Sequence, residues 1–203
     1  MEIKVPTADF LTTATGPEGW PKTQLPEFAF VGRSNVGKSS LINALTRRRK
    51  LVRVSNTPGR TRALNFFEVH VLDHKREHKS VLCDLPGYGF AKVSKSEKAQ
   101  WQGIIEGYLT GREGLRAVVQ LIDAEVGPSE QDAQMLEFLR GAGRPVVIAA
   151  TKLDRLNKAK RIPALRAAAV ELRLPETDVL GVSSTEELGM DELWRKLFAL
   201  EKP

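Results

Sequence analysis

Residues 32–39 read Gly32-Arg33-Ser34-Asn35-Val36-Gly37-Lys38-Ser39 and fit G-x-x-x-x-G-K-[ST], the pattern of a phosphate-binding P-loop. The apolar run Phe28-Ala29-Phe30-Val31 before it predicts a buried strand. The run Ser40-Leu41-Ile42-Asn43-Ala44-Leu45 after it predicts the start of a helix. A strand, a glycine-rich turn and a helix start are the context that this motif requires.

The chemistry of a P-loop assigns roles to its backbone and to two of its side chains. Its glycines let backbone N–H groups surround a polyphosphate at a helix N-terminus, where the helix dipole also favours anions. We expect Lys38 to reach the β- and γ-phosphates and the Ser39 hydroxyl to bind Mg²⁺. We also count Ser40 among the residues that line the bound nucleotide.

Length and composition indicate an ordinary globular protein. The chain has 203 residues, of which 41% are hydrophobic and 28% charged, so it is long enough to bury a core and is not of disordered composition. The first 27 residues contain four prolines and little periodicity, which predicts an irregular extension. We therefore divide the chain into an N-terminal extension (1–24) and one domain (25–203).

Nothing in the sequence favours a membrane or an oxidising compartment. Apolar runs fall short of the length that spans a bilayer, and neither a signal peptide nor a prenylation box is recognisable. The single cysteine, Cys83, excludes an internal disulfide and a cysteine zinc cluster. We expect a cytoplasmic protein without a membrane partner, and, since no pattern indicates an obligate interface, a monomer.

Strand-like and helix-like runs alternate along the chain. Strands are predicted near 28–31, 63–72, 80–84, 115–123, 145–151 and 178–182, and helices near 40–45, 97–110, 129–141, 158–173 and 189–200. This alternation predicts an α/β fold, a three-layer arrangement in which a mostly parallel six-stranded sheet is covered by helices on both faces. In such a sheet, ligands bind at the carboxyl ends of the strands.

Asp84-Leu85-Pro86-Gly87 follows directly on a predicted buried strand. A carboxylate in that position, Asp84, can hold Mg²⁺ through a water molecule. Gly87 can present its backbone N–H to a γ-phosphate, since no side chain blocks the approach. An ordinary strand-to-loop turn is the alternative for this segment taken singly.

Two later segments favour guanine as the base. In Thr151-Lys152-Leu153-Asp154, the Asp154 carboxylate can accept hydrogen bonds from the guanine N1–H and 2-amino group, which adenine cannot donate in that geometry. Lys152 is expected to pack its stem along the base. Val182-Ser183-Ser184 occupies the position from which a backbone N–H contacts the guanine O6. Each segment taken alone is also compatible with a solvated loop.

Residues 56–61 read Asn56-Thr57-Pro58-Gly59-Arg60-Thr61 and have the position and composition of a switch loop. Such a loop becomes ordered when a threonine binds Mg²⁺ and the γ-phosphate. We prefer Thr61 as that residue because it resembles the threonine of the P-G-x-T pattern in bacterial translation-factor-class GTPases, with Thr57 as the competitor. We include Gly59 and Arg60 in the nucleotide site.

In order, the chain carries G-R-S-N-V-G-K-S-S, T-P-G-R-T, D-L-P-G-Y-G, T-K-L-D and S-S. This set resembles the EngB (YihA/YsxC) family of bacterial ribosome-assembly GTPases, from about Leu25 to Leu200, and T-P-G-R-T and D-L-P-G-Y-G-F-A are its specific parts. The resemblance implies a translation-factor-class, Ras-like P-loop domain that binds GTP and GDP with Mg²⁺ on Ser39, Thr61 and, through water, Asp84. It further implies slow GTP hydrolysis and association with the large ribosomal subunit and its rRNA. The family is also associated with cell division and septum formation, which these residues do not encode.

One feature of hydrolysis is missing from the sequence. Ras-like enzymes orient the attacking water with a Gln directly after D-x-x-G, and this chain has Tyr88 there. We therefore expect slow intrinsic turnover from Lys38, Thr61 and the Gly87 amide. Asn35 resembles a potassium-coordinating Asn of related GTPases, so K⁺ is a candidate activator. The alternative is that Asn35 only braces the loop.

Basic residues cluster around the predicted switch. The net charge is +6, and no Asp or Glu occurs between Phe28 and Phe67. That stretch carries nine basic residues: Arg33, Lys38, Arg47, Arg48, Arg49, Lys50, Arg53, Arg60 and Arg62. Their density, with Lys92, Lys95 and Lys98 added, favours contact with rRNA phosphates. A solvated basic helix end, which the helix dipole stabilises, is the alternative.

Two other functional classes remain open. A signalling or cell-division GTPase that does not act on the ribosome has the same nucleotide motifs, although the absence of a lipidation signal and the basic switch disfavour a membrane role. A metabolic P-loop kinase that uses an adenine nucleotide is disfavoured by Thr151-Lys152-Leu153-Asp154.

Overall fold

The computed structural model describes residues 3–52, 63–74, 76–88 and 95–202, the last range with side chains from residue 102 onward. The strands are β1 (Lys4–Ala14), β2 (Glu27–Gly32), β3 (Leu64–Asp73), β4 (Arg76–Asp84), β5 (Leu115–Asp123), β6 (Val146–Thr151) and β7 (Val179–Gly181). The helices are α1 (Lys38–Leu45), α2 (Lys95–Gly111), α3 (Glu130–Gly141), α4 (Lys158–Glu171) and α5 (Met190–Ala199). None of the helices in these described ranges has the length and apolarity needed to cross a membrane.

Within the described ranges, the strands form one seven-stranded sheet in the order β1-β3-β4-β2-β5-β6-β7. From β4 through β2 to β7 all neighbours are parallel, whereas β3 pairs antiparallel with both β1 and β4. The predicted α/β class with a mostly parallel sheet is confirmed. The β3–β4 pair is antiparallel because β4 begins at Arg76, only three positions after β3 ends at Asp73, whereas each parallel connection contains a helix.

Both faces of the sheet are buried, as the continuous apolar runs of its central strands require. The side chains of β2 alternate between the faces. Phe28 and Phe30 belong to a buried cluster with α1 and α5, while Ala29 and Val31 belong to a cluster with α2 and α3. A further cluster packs α4 against β5 and β6. The expected three layers are therefore present.

Two expectations about the N-terminus are wrong. The sheet has seven strands, not six, because residues 4–14 form β1 rather than an irregular extension. The strand escaped recognition because register shifts between Lys4 and Thr7 and between Phe10 and Thr12 break the alternation of apolar residues. Pro6 also disfavours a strand because it has no N–H to donate, but proline is tolerated in an edge strand such as β1. The division of the chain at residues 24 and 25 stays a prediction.

One edge of the sheet collects the carboxyl ends of five parallel strands. These ends are Gly32 in β2, Asp84 in β4, Asp123 in β5, Thr151 in β6 and Gly181 in β7. The loops that follow them carry most of the predicted site residues.

Candidate functional site

The P-loop joins β2 to α1 through a turn whose backbone needs glycine. Gly37 has φ +99° and is the N-cap of α1, and its carbonyl accepts the Leu41 N–H at 2.8 Å. A Cβ on Gly32 would lie 2.9 Å from Val36 Cγ1 and 3.1 Å from the Leu121 carbonyl oxygen. The exposed Asn35 also has a positive φ, +62°. The segment is thus a tight turn that directs the N-terminus of α1 toward the carboxyl edge.

Lys38 and Asp84 form an ion pair at the centre of this edge. The Lys38 ammonium donates to Asp84 Oδ1, and the Asp84 side chain is only 2% exposed. Ser39 follows Lys38 in the first turn of α1 and is half-buried. A buried carboxylate and a hydroxyl beside the P-loop are oxygen donors of the kind that Mg²⁺ prefers. The residues present therefore fit a Mg²⁺ ion.

Gly87 lies directly against the P-loop. A Cβ added to it would be 3.2 Å from the Gly32 carbonyl oxygen and 3.2 Å from the Ser34 nitrogen. The next residue continues this contact as a short parallel bridge, since the Tyr88 N–H donates to Gly32 O at 3.1 Å and the Ser34 N–H donates to Tyr88 O at 3.0 Å. The D-L-P-G segment and the phosphate loop are thereby held together through their backbones.

The two segments predicted to bind guanine meet each other. The Ser183 hydroxyl donates to Asp154 Oδ1 at 2.6 Å, and the Leu153 N–H donates to Val182 O at 3.2 Å. The Thr151 hydroxyl lies 2.5 Å from the Val36 carbonyl oxygen, which links this region to the P-loop. The hydrogen bond from Ser183 orients the Asp154 carboxylate.

Asp123 is a site residue that the sequence reasoning missed. It accepts from the Lys152 ammonium at 2.6 Å and from the backbone N–H groups of Glu125 and Val126. Burial alone raises the pKa of Asp123, but the hydrogen bonds from Lys152 and from the two N–H groups outweigh it, so the pKa lies below its ordinary value. The sequence feature that could have identified Asp123 is its position at the end of a predicted buried strand.

Asp132 was also missed, and it anchors Tyr88. The Tyr88 hydroxyl donates to Asp132 Oδ1 at 2.6 Å, and Arg33 Nε lies 3.7 Å from Oδ2. The spacing of Ser129 and Asp132 fits the capping box that begins α3, which was the available sequence signal. This buried cluster joins the P-loop, the D-L-P-G segment and α3.

The remaining predicted residues divide into those near this edge and those outside the described part of the chain. Half-buried or buried beside the segments above are Ser34, Ser40, Leu85, Pro86, Leu153, Val182 and Ser184. The predicted switch-loop residues Thr57, Gly59, Arg60 and Thr61 lie outside the described residues, as do Arg53, Arg62, Lys92 and the side chains of Lys95 and Lys98. The role of Thr61 stays a prediction.

The basic residues 47–50, which follow α1, differ in their contacts. Arg48 donates to the Pro6 carbonyl oxygen of β1 at 2.7 Å, and Arg47 lies 3.9 Å from Asp191 of α5. Arg49 and Lys50 are exposed. Arg48 therefore braces the edge strand, whereas Arg49 and Lys50 present their charge to solvent.

Comparison with protein families identifies residues 27–152 with the family described as "50S ribosome-binding GTPase". A relative from Myxococcus xanthus, named "Probable GTP-binding protein EngB", is 55% identical over 195 residues, which are 96% of this chain and 95% of the relative. The matched range contains the P-loop, D-L-P-G and the start of T-K-L-D.

Solved structures share the fold. The crystal structure of a probable GTP-binding protein engB has a TM-score of 0.62 and 25% identity, over 86% of this chain and 97% of that one. A crystal structure of Era in complex with MgGDPNP and nucleotides 1506–1542 of 16S ribosomal RNA has a TM-score of 0.71 and 25% identity, over 88% of this chain and 57% of that one.

Proposed function

This chain belongs to the EngB family of the 50S ribosome-binding GTPases, and on that premise we propose that it is a Mg²⁺-dependent, nucleotide-switched assembly factor of the large ribosomal subunit. GTP hydrolysis is the activity that family membership implies. The observation that carries the proposal is the convergence of the P-loop, D-L-P-G, T-K-L-D and the Ser183 segment on one edge of the sheet.

The Lys38–Asp84 ion pair supports phosphate and Mg²⁺ binding. Both groups are largely removed from water, so each needs a charged partner. With a triphosphate bound, Lys38 would donate to the phosphates, and Ser39, Thr61 and, through water, Asp84 would hold the Mg²⁺. A bound Mg²⁺ would neutralise charge on the phosphates. Lys38 and Asp84 would then each keep a charged partner after their own ion pair is broken.

The Asp154–Ser183 contact supports guanine selectivity. The hydrogen bond from Ser183 holds the Asp154 carboxylate in place, and the carboxylate keeps acceptor capacity for the guanine N1–H and 2-amino group. An adenine in the same place leaves this acceptor unpaired, and such a mismatch discriminates strongly. Competition binding against ATP separates this reading from the P-loop kinase alternative, which requires ATP to displace the guanine nucleotide.

Hydrolysis is expected to be slow without an activator. The residue after Gly87 is Tyr88, whose hydroxyl is bonded to Asp132 and whose side chain is buried, so it does not orient a water at the phosphate. Asn35 is exposed on the P-loop with φ +62°, and an amide oxygen is a suitable ligand for K⁺. Faster turnover in KCl than in NaCl supports K⁺ as the activator, and equal turnover contradicts it.

An exposed basic surface supports an RNA partner. The surface consists of Arg49 and Lys50, which follow α1 directly. Phosphate contacts of this type add affinity that falls with salt. A structural neighbour, Era, was crystallised with a fragment of 16S ribosomal RNA, and this likeness supports an RNA partner by analogy.

Co-sedimentation with purified large and small ribosomal subunits tests the proposal. We expect association with large subunits in the presence of a GTP analogue and weak association with GDP or without nucleotide. The double variant Arg49→Glu/Lys50→Glu should lose this association, whereas the matched control Lys158→Glu/Lys160→Glu, which makes the same charge change at exposed positions of α4, should retain it. Equal association in all nucleotide states contradicts the switch.

A signalling or cell-division regulatory GTPase that does not act on the ribosome is the alternative. It predicts guanine-nucleotide binding with no subunit association in any state. Flotation with liposomes tests a membrane site of action for that alternative.

A further inference from the structure

Tyr88 occupies an unusual place for a buried aromatic residue, directly after the Gly87 that is expected at the γ-phosphate. Its side chain is only 6% exposed, and its hydroxyl donates to Asp132 Oδ1 at 2.6 Å. Burial, reinforced by the neighbouring carboxylate, raises the pKa of Tyr88 far above its ordinary value. The hydroxyl therefore remains a donor over the whole working range of pH.

Asp132, which accepts from the Tyr88 hydroxyl, is held in place by several other hydrogen bonds. The Asp132 side chain is 1% exposed, and its Oδ2 accepts from the backbone N–H and the hydroxyl of Ser129, both at 2.7 Å. The Gln120 amide of β5 donates to the Asp132 backbone carbonyl at 2.6 Å. The carboxylate that receives the Tyr88 hydroxyl is thus held by β5 and by the first turn of α3.

The backbone of Tyr88 transmits this anchorage to the phosphate loop. Its N–H and C=O form the short bridge with Gly32 and Ser34, and Gly87 lies against the same two residues. A shift of Tyr88 toward solvent would break this bridge and move the Gly87 N–H with it. The hydrogen bond from the Tyr88 hydroxyl to Asp132 therefore helps to fix the position of the Gly87 N–H, one residue earlier in the chain.

We infer that Tyr88 is a positioning residue, which through Asp132 holds the Gly87 N–H where the γ-phosphate arrives and so makes the site select GTP over GDP. The inference rests on the proposed binding of guanine nucleotides at this edge. If the Gly87 N–H is already held in place, no conformational entropy is lost in fixing it when the γ-phosphate binds. If the Gly87 N–H is mobile, that entropy is lost on binding and the affinity falls. GDP lacks the γ-phosphate, so its affinity does not depend on this donor.

The variant Tyr88→Phe removes only the hydroxyl and tests the inference. Dissociation constants for a non-hydrolysable GTP analogue and for GDP are measured by titration calorimetry with Mg²⁺. We expect the affinity for the analogue to fall about tenfold, the loss that one charge-assisted hydrogen bond supports, and the affinity for GDP to change less than about twofold.

The matched control is Tyr108→Phe. Tyr108 is also fully buried and also donates to a buried carboxylate, Glu27 Oε2 at 2.9 Å, but it lies at the opposite end of β2 from the P-loop. We expect this control to keep the wild-type ratio of the two affinities. An unchanged ratio in Tyr88→Phe, or an equal change in both variants, overturns the inference.

A second substitution keeps the test decisive if Tyr88→Phe is poorly folded. In Asp132→Asn, the amide cannot accept all the hydrogen bonds of the carboxylate, since its nitrogen is a donor. It should lower the analogue affinity selectively, and the double variant should lose less than the sum of the single losses. Fully additive losses overturn the coupling. Wild-type protein that binds neither guanine nucleotide contradicts the proposed function itself, whereas normal wild-type discrimination with an unchanged variant ratio contradicts only the role of Tyr88.

Discussion

Two clusters of the same composition, each with a tyrosine, a carboxylate and an arginine, lie at opposite ends of β2. At its start, Glu27 is fully buried and accepts from Tyr108 and Arg112, with Arg112 Nε at 2.9 Å. At its end, beside the P-loop, Asp132 accepts from Tyr88, while Arg33 Nε remains 3.7 Å away and its side chain is 32% exposed. In the first cluster the arginine is hydrogen-bonded to the carboxylate, whereas in the second the arginine is too far away for a hydrogen bond and is partly exposed to solvent.

This difference separates a structural cluster from a functional one. The Arg112 guanidinium also donates to the Pro21 carbonyl oxygen and lies over the Trp20 ring, so it joins the N-terminal segment to α2 and β2. Its hydrogen bond to Glu27 raises the pKa of Arg112 further. Asp132, by contrast, has its oxygens satisfied by Ser129 and Tyr88 without Arg33. The same residue types therefore stabilise the core at one end and position the phosphate loop at the other.

Replacement of the two arginines should give the largest difference in stability between the two clusters. Arg112→Met leaves the Glu27 carboxylate buried without a cation, and we expect the free energy of unfolding to fall by about 3–5 kcal/mol. Arg33→Met should lower it by less than about 1 kcal/mol, because the pair is long and partly solvated. Urea denaturation measures both values. Similar losses for the two variants would show that the clusters are equivalent.

The tyrosine hydroxyls should differ in their effects on both stability and binding. Tyr88→Phe leaves Asp132 Oδ1 without its tyrosine donor, so we expect the free energy of unfolding to fall by about 1–3 kcal/mol. In Tyr108→Phe, Arg112 Nε still donates to Glu27 Oε2, so the loss should be smaller. Thermal unfolding measures both losses, and the nucleotide titrations show which hydroxyl acts on the γ-phosphate. A larger stability loss in Tyr108→Phe than in Tyr88→Phe would contradict this ranking.

A third ion pair, Lys152–Asp123, lies at the carboxyl edge, and its contribution to stability should depend on pH. The folded-state pKa of Asp123 is depressed, so its contribution to stability is present above the ordinary value of 3.8 and is lost as the pH falls through the folded-state pKa. Asp123→Asn should therefore lower the free energy of unfolding by about 1 kcal/mol at pH 7.

The difference between wild type and Asp123→Asn should shrink below pH 3.8. Denaturant titrations at a series of pH values measure it. A difference that grows toward acid would show that burial, and not the hydrogen bonds from Lys152 and the backbone, controls this carboxyl group.

Short-range patterns carried most of the fold, because the central strands are continuous apolar runs and each is followed by a periodic helix. The edge strand β1 was not predictable, since its bulges break the alternation and its pairing with β3 joins segments about 60 residues apart. In the site, Gly32, Lys38 and Asp84 follow from motif spacing. Their side-chain partners belong to distant elements, which is why the contact between Tyr88 and Asp132 became visible only in three dimensions.

The most direct measurement is a crystal structure of the protein with a non-hydrolysable GTP analogue and Mg²⁺. We expect the Lys38 ammonium to leave Asp84 and contact the phosphates, the base to lie on Asp154, and the Gly87 N–H to meet the γ-phosphate while the bond between Tyr88 and Asp132 persists. A nucleotide bound elsewhere, or a complex in which Lys38 remains paired with Asp84, would contradict the assignment of this edge as the GTP site.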